Sequence, residues 1–189
     1  MSADNLPIKF CTQCGHSVEY RVPEGDDKLR AVCPACGFIH YQNPKIINAC
    51  IVECNRRILL GKRSIAPRKG YWGIPAGFME LGETCREGAL RECREELCAS
   101  VGHIELFGIY NVVPRNQVHV IFRGQLLDEH YQAGHETVEA RLFRENEIPW
   151  EKIAFPVVTQ ALQRYFQERA FGQFSIQEEN VLEDFEECE

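Results

Sequence analysis

Between residues 77 and 99 the chain reads GFMELGETCREGALRECREELCA, and the placement of its carboxylates limits what this stretch can become. After Arg91, the acids Glu92, Glu95 and Glu96 stand at i, i+3 and i+4, which on a helix gathers three carboxylates into one stripe. Like charges at that spacing destabilise a helix by roughly 0.2–0.5 kcal/mol per pair, so the segment calls for a cation. Arg91 precedes Glu95 by four, the weaker ion-pair orientation, and one guanidinium cannot serve all three acids. Oxygen-only ligands select a hard divalent ion, Mg²⁺ or Mn²⁺ rather than zinc. Thr84 and Glu87 spell a T-x-x-E capping box after Gly82, and Ala89, Leu90, Cys93 and Leu97 form an apolar stripe beside the acidic one. Gly88, one turn before Glu92, gives up about 1 kcal/mol of helix propensity against alanine, which reads as room for a ligand.

The cysteines describe a second site. Cys11-x2-Cys14, an 18-residue gap, and Cys33-x2-Cys36 fit a four-cysteine zinc pattern, with Gly15 and Gly37 free to turn amides toward the sulfurs. Four thiolates fill a tetrahedral shell, so this zinc is structural. Cys50, Cys54, Cys85, Cys93, Cys98 and Cys188 have no ligand spacing and read as small packed thiols. A zinc ribbon can also bind nucleic acid, the rival reading from another class. Residues 1–45, however, carry five basic and five acidic side chains, without the basic footprint that phosphate backbones require.

Alternating runs place the rest. Residues 46–54 and 57–62 read as strands joined at Asn55-Arg56, residues 101–113 and 118–127 as two more around the turn PRNQ, and 138–144 as another. Pro156 opens a closing helix lined by Val158, Ala161, Leu162, Tyr165 and Phe166. Strands around one acidic helix, closed by an amphipathic helix, give an α/β fold with a mixed sheet covered on both faces. The division expected is a ribbon over 1–43, a catalytic domain over 44–172 and an acidic tail over 173–189. The tail holds seven acids and no lysine or arginine, accounting for the formal charge of −7, and reads as solvated. Ile176, Val181, Leu182 and Phe185 leave open its packing on a partner or on its own surface. No apolar run reaches the ~20 residues of a membrane span, and MSADNLPIKF lacks the features of a signal peptide, so the expectation is a cytoplasmic protein.

The segment at 77–99 resembles the Nudix signature, G-x5-E-x7-R-E-U-x-E-E-x-G-U, with Gly77, Glu83, Arg91, Glu92, Cys93, Glu95, Glu96 and Ala99 in register. Cys98 replaces the signature glycine, which implies an altered C-cap costing on the order of 1 kcal/mol and puts helix termination in doubt. The resemblance implies an α/β/α sandwich and a hydrolase acting on a nucleoside diphosphate linked to another group. By that similarity Glu92, Glu95 and Glu96 hold Mg²⁺ or Mn²⁺, with the Gly77 carbonyl as a further ligand, and Arg91 and Glu83 orient the carboxylates. In similar pyrophosphatases an E-x-x-E-A stretch supplies one more metal ligand or the general base. Here it is Glu136-Thr-Val-Glu139-Ala140, and Glu136 is favoured over Glu139; either is otherwise an ordinary loop acid.

Ribbon, FCTQCG, HYQNPK and WGIPAGFMELGET, over residues 8–170, resemble the zinc-ribbon ADP-ribose and FAD pyrophosphohydrolases. Pro114 stands at the distance past the signature associated with the ADP-ribose branch, while the SQPWPFP stretch of NADH pyrophosphatases is missing. The expected reaction is release of AMP from ADP-ribose or FAD, with NADH or another nucleoside diphosphate derivative as the alternative. Arg68, Arg115 and His119 are candidates to meet phosphates or a base, and Trp72 and Phe122 to stack on one, although each has an ordinary packing or surface role available. Family habit adds a homodimer. A ligand sensor on the same scaffold is the non-enzymatic competitor, disfavoured because Arg91 and every acid are intact.

Overall fold

The structure, a computed structural model, describes residues 8–183, and the chain divides into two units, Met1–Asn43 and Pro44–Glu189. The first is a three-stranded antiparallel sheet of β1 (Glu19–Arg21), β2 (Arg30–Val32) and β3 (Ile39–His40). Its small interior includes Cys11, Ala31, Val32 and Cys33, with Pro23 and His40 beside them in the buried set. So thin a core needs a metal to hold it.

The second unit is built on β4 (Lys45–Cys54), β5 (Arg57–Arg63), β6 (Trp72–Gly73), β7 (Ala76–Phe78), α1 (Cys85–Leu97), β8 (Val101–Val112), β9 (Gln117–Leu126), β10 (Thr137–Phe143), α2 (Pro156–Phe171) and β11 (Gln177–Val181). The strands form one mixed sheet in the order β10-β5-β4-β9-β8-β11, with β6 on β5 and β7 on β4. β4 is parallel to β9 and antiparallel to β5, joined to the latter through Asn55 and Arg56, both left-handed (φ 50° and 62°) as a two-residue hairpin requires. Strand alternation sorts β4 into two cores. Ala49 and Ile51 pack with Ile121, Val158, Ala161, Leu162 and Tyr165 under α2, whereas Cys50 and Val52 pack with Ala89, Cys93, Leu97 and Phe122 under α1. The result is the expected α/β/α sandwich with a mixed sheet.

The acidic tail departs from expectation. Gln177–Val181 is a strand, parallel to β8 in the register Gln177 to Gly108 through Val181 to Val112. Val181 is buried, and amides receive the charges: Asn111 Nδ2 donates to Glu178 at 2.8 Å and Gln160 Nε2 to Glu179 at 2.8 Å. The open edge of β8 offers backbone partners, and that ladder outweighs the charge of the tail. Ile176 and Leu182 stay exposed, and Phe185 lies outside the described residues.

Candidate active site

The turn at Gly82 leads from β7 into α1, where Thr84 Oγ1 accepts from Glu87 N at 3.2 Å and Glu87 Oε2 accepts from Thr84 N at 2.8 Å. The capping box thus closes in both directions. One turn further on, Arg91 is the hub. Its guanidinium donates to Glu83 at 2.8 and 3.0 Å, to Glu95 at 3.0 Å, to the Phe78 carbonyl at 3.0 Å and to Glu92. These bonds tie strand, loop and helix together, and hydrogen bonds from Arg91 pull the Glu83 carboxyl down to about 2. Glu92 is buried against Gly77: a Cβ at residue 77 would lie 2.1 Å from Glu92 Oε1.

Among Glu92, Glu95 and Glu96, only Glu96 goes without Arg91. Its Oε2 accepts from Ala76 N at 3.3 Å, and burial, with the charges of Glu92 and Glu136, pushes its carboxyl up to about 8. Burial also raises Glu92, again with Glu136 contributing. Glu136 therefore belongs to this cluster although it is forty residues on from Glu96. Its loop arrives by capping α1: Gln132 N donates to Leu97 O at 2.9 Å and Gly134 N to Glu96 O at 2.8 Å. A Cβ at Gly134 would fall 1.8 Å from Glu95 O, so only glycine permits this approach. The Glu136 carbonyl then accepts from Ser64 N at 2.9 Å. Glu139, exposed like Glu136, instead has Lys62 Nζ 3.9 Å away.

Three features differ from the sequence reading or escaped it. Gly88 does not open onto a ligand: a Cβ there would meet Asn48 Nδ2 at 2.3 Å and Glu83 Oε1 at 2.7 Å, so the glycine accommodates protein groups. Asn48 itself is fully buried, with neither amide atom hydrogen-bonded among the described residues. Nor does Cys98 alter the cap. It takes the left-handed conformation (φ 47°, ψ 29°) that the signature glycine would favour, and Cys98 N and Ala99 N donate to Arg94 O and Cys93 O at 3.0 and 3.1 Å. The third feature is Arg63, at the end of β5, whose charge acts on both Glu96 and Glu136. Its Nε donates to Pro67 O at 2.9 Å, and its guanidinium lies over Phe155 at 5.1 Å. Strand parity could have found it, because Gly61 and Leu59, two and four positions earlier, face α1.

The candidate substrate residues separate. Trp72 and Phe122 are 6% and 5% exposed, packed in the two cores and closed to a base. His119 is buried too, hydrogen-bonded to Gln117 at 3.2 Å, and burial lowers it to about 4. Pro114 and Arg115 form the turn between β8 and β9, and Lys45 N donates to Asn116 O at 2.9 Å, which puts that turn at the signature end of β4. Arg68 stacks on Tyr71 (5.0 Å) and lines a cavity between the start of α2 and residues 180–183.

In the ribbon, the sulfurs of Cys11, Cys14, Cys33 and Cys36 all lie within 4.8 Å of one another, with Cys14 to Cys33 at 3.4 Å and Cys11 to Cys36 at 3.6 Å. These separations exceed a disulfide's ~2.05 Å and approach the roughly 3.8 Å edge of a tetrahedron with ~2.3 Å zinc–sulfur bonds. Gly15 and Gly37 take φ of 76° and 75°, and the amides of His16 and Phe38 that follow them bond to Cys14 and Cys36. The four sulfurs suit zinc. In the catalytic unit, the oxygen-only donor set, the raised Glu96 and the Glu92 carboxylate seated where a Cβ on residue 77 would be fit a hard divalent cation. Among the described residues those carboxylates do not close to the 4.8 Å spacing that the thiols reach.

Comparison with known proteins agrees with this geometry. A family described as Nudix N-terminal, the zinc ribbon, matches residues 9–42, and the NUDIX domain matches residues 44–162. A NUDIX hydrolase crystal structure from Nitrosomonas europaea superposes with a TM-score of 0.86 at 49% identity, covering 92% of this chain and 100% of that one. An ADP-ribose pyrophosphatase of Methanocaldococcus jannaschii is 33% identical over 119 residues, 61% of this chain and 69% of that protein. The NAD-capped RNA hydrolase NudC of Haemophilus influenzae is 36% identical over 104 residues, 53% of this chain and only 37% of that protein.

Proposed function

Since the chain belongs to the Nudix family of hydrolases, we propose that it hydrolyses the pyrophosphate bond of an ADP-linked compound, ADP-ribose or FAD, and releases AMP. The observation that carries this reading is that the charge of Glu136, from a separate loop, adds to burial in raising the Glu92 and Glu96 carboxyls of α1 above their ordinary range. Two-ion sites for pyrophosphate cleavage need a carboxylate from a second element, and Glu136 is that carboxylate in preference to Glu139, which faces Lys62.

Glu92, Glu95, Glu96 and Glu136, with the Gly77 carbonyl, would hold Mg²⁺ or Mn²⁺. A bound divalent ion supplies charge neutralisation at the pyrophosphate and acidifies the attacking water. Arg91 fixes the rotamers of Glu92 and Glu95, and Glu83 in turn anchors Arg91 from the preceding loop. Arg63 moderates the repulsion between Glu96 and Glu136. Arg115 and Pro114, at the signature end of the sheet, are the substrate contacts we favour, with Arg68 further out. In the ribbon, Zn²⁺ on Cys11, Cys14, Cys33 and Cys36 serves stability.

A second reading, cleavage of NADH or of an NAD-type cap, is favoured by the 36% identity to NudC, of which this chain spans little more than a third. Incubation with ADP-ribose, FAD, NADH, diadenosine polyphosphates and oxidised nucleoside triphosphates, each with Mg²⁺ or Mn²⁺, separates the two. AMP formed fastest from ADP-ribose or FAD supports the first reading, fastest turnover of NADH supports the second, and no AMP from any of them refutes both. No helix among the described residues is long and apolar enough to cross a membrane. We also propose a cytoplasmic homodimer, which fractionation and a sizing measurement check.

A further inference from the structure

Far from the carboxylates, a cavity of about 730 Å³ opens between the β4–β5 turn, the residues following β10 and the last turns of α2. β5 runs from Arg57, beside this cavity, to Arg63, beside Glu96 and Glu136, so the two places are separated by about 20 Å of strand. The volume lies within the few-hundred to ~1,000 Å³ range of small-molecule sites.

Its charge is unusual for this chain. In a protein of formal charge −7, three arginines line the cavity, Arg56, Arg144 and Arg169, against a single acid, Glu145. Arg169 is already committed: it donates to the Arg56 carbonyl at 3.0 Å and to Glu145 at 3.3 Å, and it lies 3.7 Å from Glu53. That bracing joins the turn carrying Arg56 to the segment carrying Arg144. The guanidiniums of Arg56 and Arg144 have no ion pair among the described residues, and both are exposed. Trp150 lines the same cavity, half-buried, its ring held edge-to-face on Phe166 (centroids 6.1 Å apart, 80°). Asn146 and Asn55, the latter with its Nδ2 donating to Glu129 at 3.4 Å, add amide groups to the rim.

We propose that this cavity is a second binding site, for a nucleoside monophosphate, separate from the hydrolytic centre. The two unpaired guanidiniums match a phosphate, which accepts the planar N–H forks of arginine. The indole provides a rigid surface for a base, and the asparagine amides suit its polar edge. A sulfate-like anion would use the arginines alone, so the tryptophan and the amides are what mark the ligand as a nucleotide.

The test uses the full chain in EDTA, with AMP, adenosine and inorganic phosphate titrated separately. Trp150 reports binding by fluorescence, since the other tryptophan, Trp72, is buried in the core. AMP quenches saturably and more weakly as salt rises, while adenosine and phosphate each bind less tightly than AMP. In the double variant R56Q/R144Q, AMP affinity falls on the order of 100-fold, about tenfold for each guanidinium removed, with hydrolytic turnover and the urea midpoint unchanged. Glu96→Gln leaves AMP binding intact. Phosphate binding as tightly as AMP, AMP affinity surviving in the double variant, or AMP affinity abolished in Glu96→Gln would each overturn the assignment.

Discussion

Replacing Gly88 by alanine separates two explanations of a glycine inside a helix, because they predict opposite signs. If residue 88 merely left space for a ligand, alanine would stabilise the protein by about 1 kcal/mol through helix propensity. In the structure the new methyl would instead lie 2.3 Å from Asn48 Nδ2, 3.1 Å from Asn48 Cγ and 2.7 Å from Glu83 Oε1. Asn48 is fully buried, and Glu83 is held by two bonds from Arg91 and one from Glu80 N. Overpacking of this kind costs about 1–3 kcal/mol, and loosening a charge-assisted bond to Glu83 adds roughly 1.5–3 kcal/mol. Less the propensity gain, Gly88→Ala is expected to lose about 2 kcal/mol or more. Because Arg91 also grips Glu92 and Glu95, Mn²⁺ affinity should fall with it. Urea unfolding followed by far-UV circular dichroism gives the first quantity and calorimetric Mn²⁺ titration the second. A variant more stable than the parent would refute the packing argument.

Cys98→Gly relieves a left-handed non-glycine residue and should stabilise by about 1 kcal/mol, seen as a melting temperature higher by about 2–4 °C; an unchanged or lower value would show that the left-handed cysteine carries no strain. Glu136→Gln should reduce kcat roughly 100-fold or more, while Glu139→Gln, which loses only an exposed pair with Lys62, leaves it within about twofold; the reverse order would transfer the role. Glu96 gives a pH signature. Its folded carboxyl, at about 8, lies above its ordinary value of 4.5, so its contribution is full below about 4.5 and is lost as pH rises through about 8. Metal-free protein should therefore weaken by a few kcal/mol across that window relative to Glu96→Gln, and Mn²⁺, which favours the ionised form, should flatten the slope. Parallel urea midpoints for the two proteins in EDTA would contradict this.

Local signals made most of the scaffold legible. The T-x-x-E box, the alternation of 101–113 and 118–127 and Pro156 at the start of α2 each name their element through backbone chemistry that tertiary packing had no reason to override. The tail differs from its sequence expectation because its strongest signal is charge. Alternation in QEENV places Val181 inward, but the open β8 edge that rewards this lies about seventy residues back in sequence. Gly88 is ambiguous for a related reason: a missing side chain announces close approach without saying what approaches, and the answer, Asn48, sits on a strand forty residues earlier. Asn48 carries no sequence signal, since one polar residue in a strand run looks like a solvent-facing position until the sheet is covered on both sides. Gly134 is similarly silent, meaningful only through what it touches, whereas Arg63 shares the strand parity of Leu59 and Gly61. In Cys98 the backbone requirement outweighs the residue preference, because the docked loop at residues 132–134 fixes the end of the helix.

We propose that the carboxylates on α1 and the Glu136 loop form one metal-dependent hydrolytic centre. Its most direct test is turnover of ADP-ribose by the wild-type and Glu96→Gln proteins, with EDTA and then with Mg²⁺ or Mn²⁺ restored. The expected result is AMP release by the wild type only when the ion is present, and a loss of roughly 100-fold or more in Glu96→Gln with its fold intact. Full ion-dependent turnover by Glu96→Gln would exclude a hydrolytic centre built on Glu96.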